Sequence, residues 1–338
     1  MAGDVALFEG AHLYIRGDHS DNQLEIVVEG EKLKVNGLDG TTINGRSSYT
    51  LSSTNVTASG VTFGGGIRAH LASGSDDLSV TDATFESVSI IYGGRGDDNI
   101  EVLDSHFGDK TVIQTFDGDD TITISGTSFD GNLFAVTLDG EDTVSMANSI
   151  FNGGSYVLTG DHTDSVFSED NEYLSATNLV LTFGGDDSVH VKDPVVMEHL
   201  GIFLGHGDDT INGDLMGAQV ERTLRIGGQA GTDEAPAMRM TDEVAANVIV
   251  GTVERRQVFD GGADTTNTET YGVLSQVNEV TNVGDRYMRR PLCWVLLKQS
   301  LRSSGVVITI GISLIRIKQI LATVSLSRFS RGRGWSSR

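Results

Sequence analysis

Alternating β-branched and polar residues, interrupted at short intervals by Gly/Asp turns, run through most of the chain, and no segment holds a helical apolar period. Thr121-Ile122-Thr123-Ile124 is a representative strand, and the same alternation recurs along the chain. The position two after a recurrent aspartate reads Leu78, Ile100, Ile122, Val144, Val166, Val189 and Ile211. Phe63, Phe85, Phe107, Phe129, Phe151 and Tyr173 fall at a constant interval of 22. Asp76, Asp98, Asp120, Asp142 and Asp164 keep that interval, each nine residues before an aromatic. The aspartate series resumes at Asp187 after one added residue and continues at Asp209. Two ladders in one register define a 22-residue repeat.

A unit that short, with two or three strands, cannot bury its apolar face alone but can do so when coils stack. The expected fold is all-β: a right-handed parallel β-helix (β-solenoid) of about eight coils, with strands ~4.8 Å apart along the axis. The aromatics share phase with the apolar columns, so they are expected as an interior stack and not as an outer platform for sugars.

Both solenoid ends need caps. Residues 1–40 read as an N-terminal hairpin cap, with strands at Leu24–Val28 and Leu33–Val35 around Glu29-Gly30-Glu31. Residues 41–239 hold the repeats. Within them, 41–62 is a degenerate first coil with Thr54 and Asn55 at the aspartate positions, and Gly227 to Asp233 is one more turn, 24 residues on. Residues 240–285 read as an irregular β extension without a defined repeat.

Charge sharpens the boundary that follows. The chain carries 24 Lys plus Arg and 47 Asp plus Glu over 338 residues, a net of −23. Residues 286–338 hold 11 basic residues and no acidic ones, which leaves 13 basic against all 47 acidic residues before them, a net of −34. That stretch also holds both tryptophans, Trp294 and Trp335, and the single cysteine, Cys293. Its apolar run Gly305–Ile315 is too short to span a membrane. It reads as a cap, a membrane-surface segment or a non-native end from a shifted reading frame. The last is favoured, because acidity, Gly-Asp turns and repeat phase all stop together. One cysteine excludes an internal disulfide framework and multi-cysteine metal sites. The acidic field argues against nucleic acid and for cations or basic partners.

Stacked aspartates ~5 Å apart repel by roughly 1 kcal/mol in water and about 3 kcal/mol at an effective dielectric of 20. Asp97, Asp119, Glu141, Asp186 and Asp208 sit one position earlier and thicken the same edge. Ca²⁺, a hard cation tolerant of irregular oxygen geometry, would answer this repulsion. The candidate metal ligands are Asp76, Asp97, Asp98, Asp119, Asp120, Asp142, Asp186, Asp187, Asp208 and Asp209. Glycines such as Gly96 and Gly118 free the backbone to bend at these turns. The competing reading is that Asp and Gly are simply good turn formers, with carboxyls bonded to backbone N–H groups. The weakest turn is Gly160 to Asp164, where His162 replaces the glycine.

Gly93-Gly94-Arg95-Gly96-Asp97-Asp98-Asn99-Ile100-Glu101 resembles the haemolysin-type (RTX) calcium-binding consensus at every specified position. Leu204 to Asn212 misses only the first glycine, and Gly184–Val189 and Asp117–Ile122 match in part. The resemblance implies a secreted or cell-surface bacterial protein whose coils are held together by Ca²⁺. That family runs its nonapeptides in tandem, whereas one motif per 22 residues leaves at most one calcium-binding edge. The chain is therefore closer to the broader class of Gly-Asp-rich bacterial surface β-solenoids.

Catalysis on a β-helix needs clustered carboxylates with a base on one exposed face. Arg68, Arg95, Lys110 and Lys192 share no column, and His106, His162, His190 and His206 are scattered in phase. No nucleophile elbow, zincin helix or P-loop is present. The expected protein is thus a non-catalytic, exported or surface-displayed spacer or adhesin that binds calcium, with an extracellular polysaccharide or surface protein as partner. The alternative is a carbohydrate-active β-helix (a lyase, hydrolase or epimerase) or a sugar-binding module. Met1–Val5 lacks the features of a signal peptide, so the expectation is either that the chain is a fragment or that export uses a different route.

Overall fold

The computed structural model describes residues 3–57, 60–175, 177–228, 233–241, 247–250 and 255–260. The expectations for residues 286–338 lie outside these. The described residues form strands and turns with no helix, and the strands stack in parallel as a β-solenoid of about eight turns, ~22 residues apart. Two sheets have 12 strands each and a third has nine.

A middle coil shows how the pattern produces this. Strand β13 (Asn99–Leu103) lies in the second sheet, β14 (His106–Phe107) in the third and β15 (Thr111–Asp117) in the first. Residue pairing between coils follows the repeat: Ile100 lies beside Ile122, Phe107 beside Phe129, and Ile113 beside Ala135. Alternation sends Ile100 and Val102 inward, both fully buried, and leaves Asn99 and Glu101 facing out. The bend between β13 and β14 is made by Asp104 in the left-handed region, φ 47°; Asp82, Asn148, Asp170 and Asp193 take the same conformation one or more coils away. Asp and Asn tolerate that conformation better than other non-glycine residues.

The aromatic ladder is internal, as its phase required. Phe107, Phe129 and Phe151 are at most 1% exposed, and successive rings from Phe85 to Tyr173 stack with centroids 5.2–5.6 Å apart. Tyr173 brings a hydroxyl into the core and shares a hydrogen bond of 2.7 Å with Ser168 Oγ. The residue added before Asp187 is absorbed in the corner after Tyr173, since Tyr173 still pairs with Phe151 whereas Asn178 pairs with Ser155.

The N-terminal region departs from expectation. The hairpin forms, β3 (Gln23–Glu29) pairing antiparallel with β4 (Lys32–Gly37), but β3 is itself a strand of the first full coil. It lies parallel to β10 (Asp77–Thr81), Leu24 beside Leu78, across 54 residues of sequence. Residues 41–62 are therefore not a coil. Thr54 and Asn55 belong to β7 (Thr54–Thr57), antiparallel to β8 (Gly60–Phe63), and Asn22 holds the ladder position instead. At the other end the solenoid runs further than the repeat suggests. Within residues 240–285, β32 (Val248–Val250) and β33 (Arg255–Asp260) extend the first and second sheets.

Candidate metal edge and the aspartate ladder

The turn between β15 and the next strand of the second sheet is Asp117-Gly118-Asp119-Asp120. Gly118 has φ 135°, and a Cβ there would overlap the carbonyl of Gly96 in the coil before. Only glycine meets both demands. His162 holds the same position at φ 94°, a strain of about 1–3 kcal/mol in that coil.

The two aspartates of the turn separate. Asp120 points inward and is 1% exposed; Asp119 points out. Asp76, Asp98, Asp142, Asp164, Asp187, Asp209 and Asp233 share the inward orientation, none more than 3% exposed. Their Oδ1 atoms form a continuous ladder. The backbone N–H of Asp98 donates to Asp120 Oδ1 at 2.8 Å, that of Asp120 to Asp142 at 2.9 Å, and that of Asp142 to Asp164 at 2.9 Å. The chain of bonds runs from Asn22, whose N–H donates to Asp76 at 2.6 Å, to Asp233, which accepts from Asp209 at 3.4 Å.

The outward carboxylates bond in the opposite direction. Asp97 Oδ1 accepts from the N–H of Asp119 at 3.0 Å, Asp119 from that of Glu141 at 2.9 Å, and Asp186 from that of Asp208 at 2.9 Å. Adjacent N–H groups of one turn are thus held by carboxylates of the two neighbouring coils. Buried amides otherwise left open at a solenoid corner cost about 1–3 kcal/mol each, so the ladders satisfy a structural need.

Burial gives the inward carboxyls unusual acidity. Desolvation, followed for most rungs by neighbouring aspartates, raises Asp98 to about 8, Asp142, Asp164 and Asp209 to about 7, and Asp76 and Asp120 to about 6. Asp187 is raised by the same burial. Thr115, Thr137, Thr159 and Thr182 lie five residues before a ladder aspartate, and each hydroxyl pulls that carboxyl partway back down. The contacts fall short of normal hydrogen-bond geometry: the four Thr Oγ1 atoms and the Oδ2 atoms of Asp120, Asp142 and Asp187 have no hydrogen-bond partner. Where threonine is absent, Gly93 makes room, since a Cβ there would overlap Asp98 Oδ2.

The ten candidate calcium ligands therefore fall into two sets. Asp76, Asp98, Asp120, Asp142, Asp187 and Asp209 are inside; Asp97, Asp119, Asp186 and Asp208 are on the surface. The donor set matches a hydrogen-bonded ladder better than a preformed calcium cage. Each inward Oδ1 already faces an N–H, and among the described residues no group of three or more His, Cys, Asp or Glu side chains is gathered to hold one ion. What the inner column still offers a cation is Oδ2, unpartnered on six of its rungs.

A second ladder gave no signal in the sequence beyond small polar residues in phase. At the corner between the second and third sheets, the N–H of Ser105 donates to Thr127 Oγ1 at 3.3 Å, that of Thr127 to Ser149 Oγ at 3.2 Å, and that of Ser149 to Asn171 Oδ1 at 2.9 Å.

The bases scattered in sequence mostly stay apart. Arg95 pairs with Asp117 at 3.6 Å, and Lys192 with Asp170 at 3.4 Å. His190 and Lys192 do converge, on the Glu169 carboxylate at 3.9 and 3.8 Å; His106 has its Nδ1 2.8 Å from Ser128 Oγ and its Nε2 3.5 Å from Asp130 Oδ2. His106 borders an open groove of about 620 Å³ with Asp82, Asp104 and Ser128, and among the described residues no other aromatic ring lines that groove.

The molecule is of the β-solenoid class by its fold. Comparison with family models, curated proteins and solved structures gives no match to this chain.

Proposed function

We propose that this chain is a non-catalytic solenoid rod, a spacer module of an exported or surface-displayed protein. The observation that supports it most is the constancy of the coil-to-coil bonding: from Asp76 to Asp209 every coil meets its neighbours through the same register and the same carboxylate–backbone bonds. In a quasi-one-dimensional array, length can change by whole units without changing the interfaces. Deleting residues 111–132 joins Lys110 to Leu133, the register partner of Thr111. The shortened chain is expected to fold with an unchanged strand spectrum and a maximum dimension about 5 Å smaller in X-ray scattering. Failure to fold would show that the coils are not interchangeable and sink the spacer reading.

Calcium is the second reading, favoured by the unpartnered Oδ2 atoms of the inner ladder. Asp98, Asp120 and Asp142 are the rungs that would hold the ion between coils. A ligand of the folded state alone raises stability by mass action. If the ladder works through hydrogen bonds only, melting temperatures in calcium and in EGTA agree within about 2 °C; a rise of ~5 °C or more assigns the ion to the turns.

A further inference from the structure

The outer faces of the two large sheets differ in kind. On the second sheet, outward positions of successive coils are Asn99 and Glu101, Thr121 and Thr123, then Thr143 and Ser145, a mostly polar face in which Phe167, 39% exposed, stands as a single large apolar residue on the next coil. On the first sheet the outward positions include Tyr92, Phe116, Phe134, Val136, Leu138 and Leu158, each only partly covered. Tyr92 and Phe116 lie 5.5 Å apart between centroids, and Phe134 stacks on Tyr156 at 4.8 Å. Phe116 and Leu138 hold these places at φ 87° and 122°, where the preceding coil has Gly94 at φ 144°. A bulky residue at positive φ is strained, and a solvated face gives no reason to bear that strain. Contiguous apolar patches of this size on a protein surface mark contacts.

We propose that this face is the interface of a two-fold dimer, the first sheets of two copies packing face to face. Size permits it. The residues named span four coils, and Leu179 and Phe203, also partly covered, carry the face over the next two; six coils at ~4.8 Å, each ~15–20 Å wide, give about 500 Å² per copy and about 1,000 Å² for the pair, the lower bound for a specific interface. Shape permits it as well. Strands β12 (Ser89–Arg95), β15 and β18 (Leu133–Asp139) pair without register shift, so ridges of side chains repeat at one spacing in both copies and interdigitate at a sheet separation of ~10 Å.

Charge selects the orientation. The edge of the face where these strands end carries Asp117, Asp139 and Asp161 against a single cation, Arg95, which pairs with Asp117, and so is net acidic. A two-fold axis along the strand direction would set this acidic edge against its own copy. An axis along the solenoid sets it against the opposite edge, where Lys110 and Asn132 lie beside Asp109 and the charge is about neutral, which removes the repulsion, so the two solenoids run parallel.

Sedimentation velocity of the full chain from about 1 to 100 µM tests this. The expected result is a dimer that Phe134→Glu weakens at least about 100-fold, with the strand spectrum unchanged. Thr123→Glu on the second sheet should leave the dimer intact. Val136→Lys is the alternative variant should Phe134→Glu fail to fold. A monomer at every concentration overturns the proposal, as does a dimer that survives both face variants. So does a monomer retained on a polysaccharide column and released by Phe134→Glu, which would give the face to a glycan.

Discussion

Between about pH 5 and pH 8.5 the protein is expected to lose roughly 10 °C of melting temperature, with the steepest loss between pH 5 and 6, where the folded chain still holds the protons of the inward aspartates, and a levelling off above pH 8. The inward aspartates set the sign. An unfolded chain releases their protons near pH 3.9. The folded chain holds them until about 6 at Asp76 and Asp120, about 7 at Asp142, Asp164 and Asp209, and about 8 at Asp98. A raised folded-state pKa contributes stability that is complete below pH ~4 and is lost as pH rises through the folded value. At the acid end the trend reverses, because hydrogen bonds hold Glu9 and Asp18 below their usual range, and stability falls as they are protonated. Each tenfold gain in proton affinity at one buried carboxyl corresponds to about 1.4 kcal/mol, and the column as a whole shares several such gains. At about 2–4 °C per kcal/mol for a domain of this size, a few kcal/mol lost from the column lowers the melting temperature by about 10 °C.

The charge facing each rung pushes the same way: Asp97 and Asp119 raise Asp120, and Asp161 and Asp186 raise Asp187. Asp120→Asn isolates the mechanism. The amide oxygen can still accept the N–H of Asp98, as Asn171 accepts that of Ser149 in the neighbouring ladder. The variant is expected to melt higher than the wild type at pH 8.5 and no higher at pH 5. Asp120→Ala removes the acceptor and should lose about 1–3 kcal/mol at both. A flat melting profile from pH 5 to 8.5 would mean that the column carries no trapped protons.

The period, the interior aromatics and the Gly-Asp corners were legible because all three are side-chain patterns in phase. What the carboxyls do was not. Asp97 and Asp98 are neighbours in sequence, yet one faces solvent and bonds forward while the other is buried and bonds backward. Successive residues of extended chain point to opposite sides, so a doubled aspartate is two different groups, and treating both as one negative edge overstated the repulsion in water and missed the desolvation inside. The first coil was misplaced for a related reason. Thr54 stands one period before Asp76 and takes the position by arithmetic, whereas Asn22 takes it in space because an insertion after β3, built largely of antiparallel strands, separates it from β8, which rejoins the coil with Phe63 beside Phe85. Phase identifies equivalent positions only while no insertion separates them. The apolar outer face of the first sheet is not legible in the sequence, because in Leu133-Phe134-Ala135-Val136 both alternating sets are apolar, which is equally the pattern of a strand buried on both sides.

Phe129→Ala is expected to be the most damaging single substitution in the middle of the rod, at about 3–5 kcal/mol. The ring is fully buried between Phe107 and Phe151, with interplanar angles of 10° and 7°. Its removal leaves a void that the fold cannot close. The backbone on either side is fixed by N–H bonds from Asp130 to Phe107 O and from Asn152 to Phe129 O, both 2.9 Å, and the coils cannot approach closer than strand spacing. The cost therefore includes a cavity term as well as lost transfer energy, and Phe129→Leu, which fills most of the space, should cost less than half as much. Because each coil meets only its neighbours, a weak coil near the centre also loosens the coupling between the two halves. Calorimetry should accordingly show a transition that is broadened or split as well as lowered, while the same substitution at the terminal ring Phe63, tilted 70° from Phe85, should lower the melting temperature without splitting it. A sharp single transition within about 2 °C of the wild type would show that the stack is filler and that the corner ladders alone hold the coils together.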